Sequence, residues 1–229
     1  PDEYLFWNVS LRYSENNPPI YNSYQFPQGI TNGAAWYTID GGMQDWNYRF
    51  LGDMDVTIEL DNNKWPVAGT LPTFWENNRE AMLSYMEAVH IGARGVITDR
   101  NTGEPIWAAV FVDDNPQAVY TDPDVGDYHR LLLPGTHTLL LWAPGYIPFH
   151  VEGIEVTDGP AIRADAAFSD GDVDGDGDVD DTDIRYEAEA VVGAKPEFDG
   201  DVDGRGPAAS DIQAVINKRL GLPIADDLN

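Results

Sequence analysis

Between residues 170 and 183 the chain reads DGDVDGDGDVDDTD. No helix or strand accommodates such a run, because its carboxylates repel one another and its glycines favour bends. It can order around a cation. Calcium takes about six to eight oxygens at roughly 2.3–2.6 Å, and alternate residues of a tight loop turn their side chains to one centre. Counted from Asp172, carboxylates fall at loop positions 1, 3, 5, 7, 9 and 12, as Asp172, Asp174, Asp176, Asp178, Asp180 and Asp183, with Gly177 at position 6. Position 7 ordinarily gives its backbone carbonyl and position 9 acts through a water, so Asp178 and Asp180 need not touch the ion with their side chains. Asp183 closes the shell from the first turn of a following helix.

The pattern comes twice. SDGDVDGDGDVDDTDIRYEAEAVVG and EFDGDVDGRGPAASDIQAVINKRLG each run from an acidic loop into a short helical pattern, and such repetition predicts a paired module. The second loop is poorer. Asp201 and Asp203 fit positions 1 and 3, Arg205 stands at position 5, and Asp211 falls at position 11, one residue early, with Asp199 nearby. The first loop resembles an EF-hand loop, with Asp183 where that pattern has glutamate. Together the two units, residues 170 to 222, resemble a dockerin, the module by which secreted enzymes attach to a cohesin partner. The resemblance implies calcium and a cohesin-type partner. It matches Asp181 and Thr182, and Ala209 and Ser210, to positions that help choose that partner.

The 229 residues carry 40 acidic against 13 basic side chains, a formal charge of -27. That excess argues against nucleic acid and anionic membranes, which need cationic patches. There is no cysteine, which excludes disulfides and thiolate zinc sites. No apolar run reaches the roughly 18 residues of a membrane span. The start, PDEYLFWNVS, has neither an initiator Met nor a basic leader and reads as a processed or cut chain,. A secreted, extracellular setting is expected.

Three zones are expected: residues 1–91, 92–168 and 169–229. In the first, DVTIEL (55–60) reads as a strand,. A helix follows, with Thr73 and Glu76 as its capping box and Phe74, Asn78, Ala81, Met82 and Tyr85 on a helical period,. Gly92 is its stop. The second zone holds short alternating runs separated by turn signals such as NTG, LPGT and APGY, which predicts a small antiparallel β-sandwich. Trp107 and Trp142 are expected in its core, although stacking faces for a glycan would use the same rings.

The first zone also contains AWYTIDGGMQDWNY (35–48), where large rings flank a Gly-Gly pair. In order, NGAAWY, GGMQDWNY, TIEL and KWP resemble the C-terminal part of a zinc metallocarboxypeptidase catalytic domain, of the subfamily of carboxypeptidases D, E, M and N. The resemblance runs to about residue 168, because that subfamily carries a transthyretin-like β-sandwich after its catalytic domain. The implied fold class is multi-domain: part of an α/β mixed sheet, then an antiparallel sandwich, then a small helical dockerin or EF-hand-like module. By the same resemblance Glu59 is the catalytic glutamate that moves protons at the zinc-bound water. Tyr37 closes over the substrate carboxylate, and Gln44 lines the pocket for the C-terminal side chain, where it accompanies a preference for Lys or Arg. Peptide or protein substrates follow.

The family's zinc ligands are a His-x-x-Glu pair and a later histidine. The four histidines here, His90, His129, His137 and His150, have no glutamate at the third following position. The ligands are therefore expected upstream of residue 1, and the chain alone is expected to be inactive. The competing reading is a non-catalytic calcium-binding adhesion or scaffold-attachment protein.

Overall fold

The computed structural model describes residues 1–224, so the last five residues of the expected third zone lie outside the described residues. The chain divides into two compact units, Pro1–Ile91 and the chain from Gly92 onward.

The first unit is helical. Its longer helices are α1 (Glu3–Glu15), α4 (Met43–Leu51) and α5 (Leu71–Met86), with single turns α2 (Pro18–Tyr21) and α3 (Gly33–Trp36) between them. Helix α1 buries Leu5, Val9 and Tyr13, spaced by four so that they share one face,, and packs on α5. Their contact is partly polar. The Tyr13 hydroxyl and the Asn17 side-chain amide both donate to Asn78 Oδ1, the latter at 2.8 Å, and Asn78 returns a bond to the Phe74 carbonyl at 2.7 Å. Much apolar surface stays open: Trp36, Trp46, Phe50, Trp65, Trp75 and Met43 are all exposed.

Two expectations for this unit are corrected. Residues 55–60 form no strand. Alternation sets which way side chains point, but a strand also needs a neighbour for its N–H and C=O groups, and residues 1–91 supply none. This unit therefore contributes no sheet, mixed or otherwise. Helix α5 starts at Leu71, with Pro72 in its first turn, where the missing N–H costs nothing. Thr73 thus lies inside the helix, and Glu76 pairs with Arg79 at 3.3 Å instead of capping.

The second unit opens as a sandwich of two sheets. Its strands are β1 (Ala93–Asp99), β2 (Ala109–Val112), β3 (Asn115–Tyr120), β4 (Asp127–Arg130), β5 (Gly135–Trp142), β6 (Phe149–Val156), β7 (Ile162–Arg163) and β8 (Ala166–Phe168). One sheet runs β3-β2-β5-β6, all antiparallel. In the other, β1 pairs antiparallel with β4 but parallel with β7 and β8. The sandwich is therefore mixed, where a wholly antiparallel one was expected. Strands of two and three residues carry no signal of direction, and parallel pairing needs a crossover, here made through the opposite sheet. Ile97, Val110, Leu139, Leu141 and Phe168 are fully buried between the sheets.

Two helices complete this unit, α6 (Asp181–Val191) and α7 (Ala209–Leu220), packed on each other. A second apolar cluster of Ile147, Val202, Ala214 and Val215 joins them to the sandwich. Polar bonds reinforce the junction: the His150 N–H donates to the Asp203 carbonyl at 2.7 Å, Asn101 Nδ2 to the Asp172 carbonyl at 2.8 Å, and Lys218 Nζ to the Gly145 carbonyl at 2.6 Å.

Candidate functional site

Residues 37 to 59 hold the first set of candidates. Gly41 adopts φ +73°, a left-handed turn open to glycine,, and Gly42 then caps α4. The stretch GGMQDWNY is thus a turn into a helix. Gln44 is half-buried in the first turn of α4, and Tyr37, just past α3, is 55 % exposed and edge-on to Trp36 at 4.9 Å. Glu59 is exposed in the irregular segment. No hydrogen bond among the described residues joins Tyr37, Gln44 and Glu59. The three lie on separate segments, and the rigid strand expected to carry Glu59 is absent.

The aspartate loops are far more densely hydrogen-bonded. In the first, Asp172 turns into the loop and its two oxygens accept from Gly175 N at 2.7 Å, Asp176 N at 3.2 Å and Gly177 N at 2.9 Å. One oxygen each from Asp172, Asp174 and Asp176 lies within 4.8 Å of the others. Two ligands on one calcium ion sit at most about 5 Å apart, so this spacing suits that ion. Asp178 is exposed and its N–H donates to Asp176 Oδ1 at 3.0 Å. Asp183, 1 % exposed, accepts from Val173 N at 2.7 Å, Asp174 N at 3.3 Å and Asp180 N at 2.7 Å. It ties the loop's start to the N-terminus of α6, closing a capping box with Asp180. Partial desolvation, then repulsion from Asp176, Asp183 and Asp172, raises the Asp174 carboxyl above its ordinary value.

The second loop repeats this architecture. Asp211, fully buried, accepts from Val202 N at 2.9 Å, Asp203 N at 3.3 Å and Ala208 N at 2.8 Å. Asp201 Oδ1 accepts from Gly204 N at 2.7 Å, as Asp172 does from Gly175. Asp211 therefore occupies the place of Asp183 although its loop is one residue shorter. Asp201, Asp203 and Asp211 each place one oxygen within 4.8 Å of the others. Arg205, at the position of Asp176, brings a cation in place of a carboxylate, its guanidinium against the His150 ring at 2.7 Å and 3.9 Å from Asp203 Oδ2.

Residues 1–81 match the family model described as zinc carboxypeptidase. Rat (Rattus norvegicus) carboxypeptidase D is 38% identical over 173 residues, covering 72% of this chain and 13% of that protein. The human (Homo sapiens) carboxypeptidase N catalytic chain is 40% identical over 165 residues, covering 70% of this chain and 35% of that one. Carboxypeptidase D of Drosophila melanogaster is 39% identical over 166 residues, covering 69% of this chain and 12% of its own length. Residues 1–81 are thus similar to the zinc carboxypeptidase family. These alignments take in more of the chain than residues 1–81, so the likeness continues into the sandwich, while the chain spans only a minor part of each relative. Among solved structures, a chain of a type II cohesin–X-dockerin complex from Acetivibrio cellulolyticus is 17% identical, covers 55% of this chain and 93% of that one, and has a TM-score of 0.30. A score that low carries no argument.

Zinc is commonly held by histidine nitrogens, and the described residues do not gather them. Among the described residues the two clusters of metal-capable side chains are the aspartate trios, and neither contains a histidine. His137 is engaged through both ring nitrogens, with Asp113 Oδ2 at 2.8 Å and the Leu133 carbonyl at 3.0 Å. The described residues thus do not assemble a nitrogen-rich zinc site,. No described helix is long and apolar enough to cross a membrane.

Two features give no signal in the sequence. Trp107 is 42 % exposed rather than in the core, stacked on Tyr120 at 5.5 Å and edge-on to Trp142 at 6.5 Å. It precedes β2, outside the alternation that turns Val110 and Val112 inward. Glu187, on α6, is wholly buried, and neither of its carboxylate oxygens has a hydrogen-bond partner. Burial first, then Asp211, pushes its carboxyl up to about 7, with Arg100 opposing.

Proposed function

We propose that this chain is a C-terminal fragment of a secreted zinc-dependent metallocarboxypeptidase, which hydrolyses C-terminal residues from peptides, joined to a dockerin-like calcium-binding attachment module. The observation that carries the first part is the match of residues 1–81 to the family, extended at about 40 % identity into the sandwich. In this reading Glu59 moves protons during attack on the terminal peptide bond, Tyr37 orients the substrate carboxylate and Gln44 lines the side-chain pocket. Lys and Arg are the C-terminal residues to test first. The fragment alone is inactive, because Glu59 lies on an exposed, irregular segment and no histidine-containing metal cluster accompanies it among the described residues.

The test is release of C-terminal Lys or Arg from short peptides by the purified 229-residue chain, with zinc added. No release above a Glu59→Ala control is expected. Zinc-dependent turnover that Glu59→Ala abolishes would overturn the inactivity of the fragment.

The second part rests on the aspartate loops. We infer that Asp172, Asp174 and Asp176, with Asp178 through its backbone and Asp183 from α6, hold one calcium ion, and that Asp201, Asp203 and Asp211 form a second site. An extracellular setting and a cohesin-type partner go with this module. The specific observation favouring a non-catalytic attachment protein is that both metal-capable clusters among the described residues consist of aspartates.

A further inference from the structure

Glu187 sits four residues, and so one helical turn, after Asp183. The equivalent residue of the second repeat, four after Asp211, is Val215, which is fully buried in the apolar cluster at the junction. One repeat thus fills a core position with valine and the other with a carboxylic acid. Glu187 is 0 % exposed, and both of its oxygens lack a hydrogen-bond partner. A desolvated carboxylate without a partner is among the costliest arrangements in a folded chain. It requires either a neutral form or a cation.

What faces Glu187 is the second loop. The charges acting on it are Asp211, Arg100, Asp199 and Asp201. The start of that loop lies directly on α6: a Cβ at Gly200 would stand 2.8 Å from Val191 N and 2.9 Å from the Ala190 carbonyl carbon. The one basic group of this set, Arg100, is committed elsewhere, to the Asp201 carbonyl at 2.8 Å and the Asp199 carboxylate at 3.6 Å. The second loop in turn is short of oxygens. Its trio offers three, and its position 5 is Arg205, whose side chain supplies no oxygen and stands 2.7 Å from the His150 ring and 3.9 Å from Asp203 Oδ2. Calcium takes about six to eight.

We propose that Glu187 is a ligand of the cation held by the second loop, supplying from α6 the carboxylate that Arg205 cannot, so that one ion ties the two repeats together. This deepens the calcium reading of the loops and rests on it. Glu187 stands outside the trio whose oxygens lie within 4.8 Å. The bound ion therefore draws its carboxylate inward, a movement available by rotation about the side-chain torsions. A core position occupied by valine in one repeat and glutamate in the other follows directly, since only the second loop lacks its position-5 ligand.

The experiment is calorimetric titration with calcium of the full chain and its variants, beside thermal unfolding with calcium and with chelator. The unaltered chain binds two ions. Glu187→Leu, which gives the first repeat an aliphatic side chain like that of Val215, keeps the first-loop site and weakens the second by at least about ten-fold. Without calcium it unfolds at a higher temperature than the unaltered chain, and it gains less from the ion. Glu187→Gln, which preserves shape, gives the same weakening and guards against a packing artefact of leucine. The double variant Asp174→Asn with Asp176→Asn loses the first site and keeps the one that depends on Glu187. Two sites unchanged in both Glu187 variants would overturn this inference and leave the loops intact. So would a single site lost in the double variant and retained in Glu187→Leu. No binding to the unaltered chain would overturn the calcium reading itself.

Discussion

The hydroxyl of Tyr128, buried between the sheets, donates to the Ala164 carbonyl at 2.7 Å, and burial together with Asp165 raises its ionisation well above the usual tyrosine range. Two consequences follow for this residue. Tyr128→Phe leaves the carbonyl without its donor in a dry site and is expected to cost about 1–2 kcal/mol of the second unit's stability, read from denaturant midpoints. The second concerns pH. In the unfolded chain this tyrosine ionises near its ordinary value of 10.0, whereas the folded protein holds it neutral. Its contribution is therefore complete below pH about 10 and declines as the pH rises further. The Phe variant should show a shallower alkaline loss of stability than the parent, and identical slopes would remove the buried hydroxyl as the cause.

At the scale of elements, Gly204 measures how tightly the second loop is seated on β6. Its φ is +81°, and a Cβ there would stand 2.2 Å from the His150 carbonyl oxygen and 2.8 Å from the Phe149 ring. Gly206, two residues on, has φ +90° and open space around it. Both positions penalise an L-residue by about 1–3 kcal/mol for backbone conformation alone. Gly204→Ala must also push loop and strand apart, so it is expected to cost at least about 2 kcal/mol more than Gly206→Ala. Chemical denaturation of the pair measures that difference, and equal losses would mean that the loop is not pressed against the strand. This seating explains what was legible in the sequence. The ligand spacing from Asp172 to Asp183 and the missing residue before Asp211 are local, so the loops could be read directly. The buried state of Glu187 depends on a loop some dozen residues further along and on Arg100 in another element, and a lone glutamate in a helical run gives no sign of it. The stretch 55–60 failed the opposite way: its alternation is plain, but pairing is not a local property, and no neighbouring strand is present.

Across the whole molecule, the boundary at Ile91 separates two compact units, but no comparable break falls where the acidic repeats begin. A module on a tether would unfold on its own. Here Ile147, Val202, Ala214 and Val215 share one buried cluster, and hydrogen bonds from His150 N–H, Arg100 Nη2, Asn101 Nδ2, Lys218 Nζ and Arg205 Nη2 cross the junction. Burial of such aliphatic side chains contributes about 1.5–3 kcal/mol each, and each bond roughly 0.5–1.5 kcal/mol. Even after the entropy of ordering, a coupling of several kcal/mol remains, comparable with the stability of a small domain. The amides of α7 and those at the centre of β2 and β5 are therefore expected to exchange with deuterium through the same global opening. In the first unit, by contrast, α1 and α5 meet partly through Tyr13, Asn17 and Asn78, with much aromatic surface exposed. Its amides should open at lower free energy than those of the second unit. Hydrogen exchange resolved by mass spectrometry on the calcium-free chain distinguishes the cases. Protection of α7 that is lost while β2 and β5 stay closed would make the acidic repeats an independent module after all. A calcium-dependent change would then stop at the repeats instead of reaching the sandwich through His150 and Arg100.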